Sequence, residues 1–324
     1  MALEQPARAG SETGTLPAVT NRLRDQPQLT VAGGGLGLIR FSWGSSRKNV
    51  GLIMRSEVAE SGGRLGYESR AGLDPRCVPV KLTRPMPEGA ALPRREYTDE
   101  EHETWKILYG RQRRLLEGRA CEEFLHGLRI MRFPEDHIPD LREVHRTLKR
   151  TTNWSIALAP GLIAAADFYA ALARRVFPST NYIRGREELD YTPAPDCFHD
   201  IFGHTTLITE PYFANFYQKF GQVAGRAKGK VLGWLASFYW FTVEFGLINT
   251  REGIRIYGNG ILSSYSEVAH CLGGEVERLP FDPQRMAEQP SDISIMQPVL
   301  FVIDSFEQLD REFDRWARSL GLAQ

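Results

Sequence analysis

The 324-residue chain lacks most of the features that would place it quickly in a class. It has no charge imbalance, since forty lysines and arginines offset forty aspartates and glutamates. Without a basic excess there is no global field for nucleic acid, and without an acidic excess there is no self-repulsion to favour disorder. The one basic cluster, Arg111–Arg114 (RQRR), is followed by Glu117, Glu122 and Glu123 and reads as a solvated helix face. Cysteine is scarce: Cys77, Cys121, Cys197 and Cys271 stand far apart with no CxxC pair. That argues against a disulfide framework or a thiolate zinc site and suits a reducing cytoplasm. The N-terminus, MALEQPARAGSETG, has no apolar h-region and is not read as a signal peptide. Long apolar runs are missing too. The most apolar window, Ser155–Ala173, is interrupted by Pro160, Gly161 and Asp167, which predicts core strand, turn and helix rather than a membrane span. Gly33–Gly35 and Gly37 spell neither GxGxxG nor GxxxxGK[ST], so they predict a hairpin instead of a phosphate loop.

What remains is an ordinary globular composition, 42% hydrophobic and 10% aromatic, enough for a sizeable core in one large domain or two modest ones. Residues 1–25 are polar with no apolar period and read as disordered. Residues 26–95 carry short β-type runs (QLTVAGGGLGLIRFSW, KNVGLIMRSE, GRLGYESR, CVPVKLTR) and then the Pro-rich stretch Arg84–Glu96. They predict a small β-rich extension and a linker. From residue 96 to 324 the period becomes helical. Thr98 followed by three acids predicts a helix start, with Trp105, Leu108, Tyr109, Gln112 and Leu115 on its inner stripe. Further helices are expected at Pro139–Lys149, Ala164–Arg174, Pro211–Val223 and Phe306–Leu320, with short strands at Ile254–Tyr257 and Val299–Ile303. The fold class is therefore mainly α with minor β, preceded by the small β-rich extension.

Two stretches carry chemistry, Tyr191–His204 (YTPAPDCFHDIFGH) and Ser237–Leu247 (SFYWFTVEFGL). His199 and His204 are five residues apart, which on an ideal α-helix separates them by about 140°. Convergence on one metal would need a distorted turn, for which Gly203 offers a break. Alone, HxxxxH is a weak metal signal. Glu244 strengthens it, being the only charged residue of the apolar run Phe238–Ile248. A buried carboxylate costs several kcal/mol unless it meets a cation. An arginine or lysine would serve, and so would a metal. Two histidines and one carboxylate are the ligands of non-haem iron(II) oxygenases and also of zinc hydrolases, so ligand types leave the metal open.

From about Tyr97 onward the chain resembles the pterin-dependent aromatic amino acid hydroxylases, in particular bacterial phenylalanine hydroxylases. The segments that carry the resemblance are YTDEEHETWKILYGRQ (97–112), APGLIAAADFYAALARRVFPSTNYIR (159–184), TPAPDCFHDIFGH (192–204), YWFTVEFGL (239–247) and IRIYGNGILSS (254–264). The first 95 residues resemble nothing identified, and no tetramerisation helix is seen after Leu322.

The resemblance implies an Fe(2+) site made by His199, His204 and Glu244. It implies an amino-acid pocket with Arg184 on the substrate carboxylate, completed by Thr192, Pro195, Trp240, Gly260 and Ser263. It places Leu162, Ile163, Phe168, Asp200 and Tyr239 beside a tetrahydropterin, and gives Asp196 and Glu267 the task of orienting the ligands. The implied activity is hydroxylation of free L-phenylalanine by dioxygen to L-tyrosine, in a cytoplasmic monomer with no nucleic-acid or membrane partner. Trp240 stands where tryptophan hydroxylases carry Phe, and Ile293 is apolar where a tyrosine hydroxylase places Asp. The chain departs from the family at Thr205-Thr206, where Val-Pro is usual. A tilted His204 ring could direct oxygen to the meta carbon, as in phenylalanine 3-hydroxylases, which is the alternative kept open here with tryptophan hydroxylation. A zinc hydrolase and a non-catalytic amino-acid-binding protein are the readings from other classes.

Overall fold

In the computed structural model the described residues are 53–54 and 74–322, apart from positions 191, 193, 293 and 294. The expected disorder of residues 1–25, most of the β-type runs, and Ile293 lie outside them. Ile53–Met54 forms a two-residue strand paired antiparallel with Ser291–Asp292. The run from Cys77 to Arg84 does not make a strand of its own. It enters a ladder only at Val80, opposite Ile163. The stretch expected as a linker lies against the helical domain: Glu88 bridges Ala157, and Leu158 donates its N–H to the Pro87 carbonyl at 2.8 Å. Pro85, Pro87 and Pro93 lack the donors a full strand needs, so single bridges are all this segment can form.

The helical domain opens as its sequence predicts. Thr98 caps the helix Asp99–Leu116, accepting from Glu101 N–H at 3.2 Å while Glu101 accepts from Thr98 N–H at 2.8 Å. The RQRR cluster on this helix is only partly solvated. Gln112 is buried, donating to the Leu262 and Ser264 carbonyls, and Arg111 pairs with Asp190 over the Tyr265 ring. The spacing calls for helices that the structure delivers within a residue or two at Leu141–Thr151, Ala165–Ala173, Pro211–Ala224 and Phe306–Ser319. Glu122–Met131 and Gly229–Tyr239 are additional helices.

Two small sheets frame the helices. Ser155–Leu158 and Val176–Ser179 run parallel, joined by Ala165–Ala173, which makes this unit a βαβ crossover. A mixed four-stranded sheet has the order Gly253–Ile256, Leu247–Thr250, Val299–Ile303, Glu277–Pro280. Between helices and sheets lies an aromatic core in which Phe213, Phe216, Tyr217, Phe220, Phe238 and Phe313 are fully or almost fully buried. The helix Pro211–Ala224 crosses Ala165–Ala173 at Gly221, where a Cβ would stand 2.5 Å from the Ala173 nitrogen and 2.7 Å from the Tyr169 carbonyl oxygen. Contact with the backbone of that helix leaves no flexible neighbour to yield. Gly221→Ala should therefore destabilise the fold by about 1–3 kcal/mol, read as a lower midpoint in urea unfolding.

Candidate metal centre

The five-residue spacing of the histidines is resolved by helix type. His199–Thr205 winds as a π-helix, whose i→i+5 hydrogen bonds make residues five apart neighbours on one face. The expected break at Gly203 does not occur; the chain widens there instead of breaking. Gly203 has a different task, because its bare Cα lets Asn259 approach, and a Cβ would lie 3.2 Å from the Asn259 carbonyl oxygen. Glu244 also ends a π-turn, Trp240–Glu244, closed by Phe245 N–H on the Trp240 carbonyl at 2.9 Å. Both candidate ligand segments thus depart from α-geometry where the metal-binding atoms lie.

These atoms converge. His199 Nε2 and His204 Nε2 are 2.9 Å apart, His204 Nε2 is 3.2 Å from Glu244 Oε1, and His199 Nε2 is 3.7 Å from Glu244 Oε2. Two ligand atoms each about 2.1 Å from a metal and at right angles to one another stand about 3.0 Å apart, so the triangle suits one face of an octahedron. Among the described residues this is the one cluster of three such groups.

The outer nitrogens are held by neighbours. Ser263 donates its single hydroxyl proton to the Asn259 carbonyl at 2.8 Å and so can only accept from His199 Nδ1, also 2.8 Å away. That fixes the proton of His199 on Nδ1 and leaves the Nε2 lone pair facing inward. His204 Nδ1 is 2.5 Å from the Tyr217 hydroxyl and 3.1 Å from Asn259 Nδ2, which also reaches the Val243 carbonyl. Burial, and then the neighbouring His204, lower the His199 pKa to about 4, so the ring is neutral and available as a ligand. Burial would raise the Glu244 carboxyl, but facing His204 and His199 it stays below its ordinary value.

The triad opens on a cavity of about 320 Å³, large enough for small ligands. Arg184, Thr192, Pro195, Trp240, Gly260 and Ser263 line it, as do Leu162, Ile163, Phe168, Asp200 and Tyr239. Several of these have partners of their own within the protein. Arg184 is engaged along one edge. It is buried, and Nε and Nη2 grip Asp196 at 2.8 and 2.9 Å. Asp196 makes no hydrogen bond to a histidine ring; it accepts the His199 N–H at 3.0 Å and anchors Arg184. Although burial works against it, Arg184 holds the Asp196 carboxyl below its usual range. Ser263 is first of all a partner of His199. Asp200 turns to Thr180, whose N–H and hydroxyl reach Oδ2 at 2.7 and 2.9 Å, and burial lifts its pKa to about 7. Glu267 contacts neither histidine through any hydrogen bond. Tyr217 and Asn259 were missed by sequence reasoning, because Tyr217 sits in an aromatic helix stripe that reads as core.

Thr205 and Thr206 direct their hydroxyls at backbone, to the Ile201 and Phe202 carbonyls at 2.6 and 2.7 Å. Neither reaches the His204 ring, which lies against Phe177 at a centroid distance of 4.9 Å.

Residues 66–323 match the family described as biopterin-dependent aromatic amino acid hydroxylase. The chain is 46% identical over 217 residues to the phenylalanine-4-hydroxylase of Chromobacterium violaceum, covering 66% of this chain and 72% of that one. It is 40% identical to human tyrosine 3-monooxygenase, covering 67% of this chain and 42% of that one. A crystal structure of the Chromobacterium violaceum enzyme with bound iron(III) and 7,8-dihydrobiopterin superposes with a TM-score of 0.67 at 44% identity, covering 71% of this chain and 85% of that chain.

The hydrogen bonds around the triad carry a direct test. Tyr217→Phe removes the partner of His204 Nδ1 and should weaken binding of a divalent metal about 10- to 100-fold, measured by calorimetric titration with cobalt(II).

Proposed function

Because the chain belongs to the biopterin-dependent aromatic amino acid hydroxylase family, we propose that it hydroxylates free L-phenylalanine at the para carbon, using dioxygen, iron(II) and a tetrahydropterin, to give L-tyrosine. The observation that carries this reading is one cavity holding the His199–His204–Glu244 triangle, an aromatic wall at Trp240 and the buried guanidinium of Arg184. Iron(II) and tetrahydropterin, when bound, would supply the electrons that activate dioxygen, the oxidant.

The chain's own residues do the rest. His199, His204 and Glu244 would hold the metal at the edge of the cavity, where their ligand atoms converge. Arg184 spends one edge of its guanidinium on Asp196, which aims the plane; its outer edge of N–H groups is suited to a substrate carboxylate. Trp240, braced by Phe245 at a centroid distance of 4.5 Å, offers a face to the substrate ring. Phe168 is locked edge-on between Phe177 and Tyr239 and offers a stacking wall to the pterin. The largely apolar lining keeps water from the reacting centre and holds the ring in position for reaction. We take residues 96–324 as the catalytic domain.

Para hydroxylation is favoured over meta because Thr205 and Thr206 bond to backbone and leave the His204 ring to Tyr217, Asn259 and Phe177. A zinc hydrolase would use Asp200 as its base, but that carboxylate is engaged by Thr180. We also place the enzyme in the cytoplasm as a monomer. Cys121, Cys197 and Cys271 are buried thiols outside any disulfide, and no helix among the described residues is long and apolar enough to cross a membrane.

Supplied with iron(II), tetrahydrobiopterin, dioxygen and each aromatic amino acid in turn, the protein should convert phenylalanine to tyrosine as the main chromatographic product. meta-Tyrosine as the main product would overturn the regiochemistry, and 5-hydroxytryptophan as the preferred product would overturn the role of Trp240. Glu244→Ala should abolish stoichiometric iron binding together with hydroxylation; retention of both would remove Glu244 from the ligand set.

A further inference from the structure

The cavity wall contains one charged group to which the reading above gives no task. Glu267 lines the cavity, is 7% exposed, and its buried Oε2 accepts no hydrogen bond from any described residue. A local partner was available. Ser264 and Glu267 have the spacing of a capping box, as in the pair that Thr98 and Glu101 complete elsewhere in the chain. Here the box is unmade: Ser264 makes no capping bond to the helix, and its own hydroxyl is also buried without a partner. Burial alone lifts the Glu267 pKa to about 7, and no neighbouring cation offsets it.

An acceptor kept buried and unpaired costs free energy unless an arriving donor repays it. Of the other acids on the wall, Glu244 faces the histidines and Asp200 is held by Thr180, which leaves Glu267 as the uncommitted anion, opposite in sign to Arg184. A cavity with an uncommitted carboxylate and a guanidinium complements a zwitterion. Glu267 sits on the same stretch as Gly260 and Ser263, whereas the wall assigned to the pterin, Leu162, Ile163 and Phe168, comes from another part of the chain. We propose that the Glu267 carboxylate receives the α-ammonium group of the substrate and so restricts the enzyme to free amino acids. This rests on the aromatic amino acid hydroxylase reading and deepens it. Arg184 and Glu267 then hold the two ends of the amino acid backbone, and the ring is left to be positioned by apolar contacts alone.

The test compares L-phenylalanine with 3-phenylpropanoate, which keeps ring and carboxylate and lacks only the amine. Affinities are measured by calorimetry on the cobalt(II)-loaded protein and kcat/KM on the iron form. Glu267→Gln should weaken L-phenylalanine binding about 30-fold or more and change 3-phenylpropanoate binding by less than about threefold, as expected when one partner of a buried charge pair is removed. Glu267→Asp, which keeps the charge on a shorter stem, should restore part of the preference for the amine. Equal loss for both ligands would reduce Glu267 to a packing role and overturn the proposal. So would unchanged affinity for L-phenylalanine, or a rise confined to the KM of the pterin. A wild-type protein that neither binds nor hydroxylates any aromatic amino acid would sink the parent reading as well. A competent wild type with an indifferent Glu267→Gln variant sinks this proposal alone.

Discussion

A carboxylate held among aromatic rings is the constraint on which the rest of this architecture depends. Glu244 follows Tyr239, Trp240, Phe241 and Val243 and precedes Phe245, and these neighbours offer it no permanent cation. A charge so placed costs several kcal/mol if left unmet. The chain answers with two imidazoles, each turned by its outer nitrogen so that Nε2 points at the carboxylate. Such a trio of inward-facing lone pairs is comfortable only around a metal ion. Much of the local covalent detail follows from it. Two π-turns bring the ligand atoms to one point, and Gly258 and Gly260 lie so close to Glu244 that Cβ atoms there would stand 2.5 and 3.1 Å from its carbonyl oxygen.

The overall class was legible because it depends on period and capping. Thr98, the stripe from Trp105 to Leu115, and the apolar pattern of Phe306–Ser319 each reflect local rules that tertiary context did not override. The triad was legible as a set of residues, mainly through the flanking segments. Its geometry was not, because a five-residue spacing is divergent on the helix one assumes and convergent on the one that forms. Nothing in the identity of Asp200, Ile201 or Phe202 announces π-winding. Arg184 illustrates a second limit. Its role was assigned from resemblance, but that Asp196, twelve residues on, would hold it required the fold. Tyr217 and Asn259 lie 13 and 55 residues from His204, and such partners have no signature in a single sequence.

The threonines after His204 show how side chains can support a widened turn. A π-turn leaves carbonyl groups poorly aligned with the helix that follows, and Thr205 and Thr206 supply hydroxyls to the Ile201 and Phe202 carbonyls. Thr209 in turn donates to the Thr206 carbonyl, and Thr152 to that of Ile208. The threonine hydroxyls therefore support the backbone around His204 and leave the contacts of its ring alone.

The helix Pro211–Ala224 touches both halves of the site from one face. Tyr217 bonds His204, and one turn later Gly221 seats the helix that carries Phe168. A machinist would call it a common datum: the proposed metal ligand and the proposed stacking wall are each located from the same helix, with no loop between. For chemistry shared between a metal and a stacked ring, the gap between the two is the dimension that such a common support would hold constant.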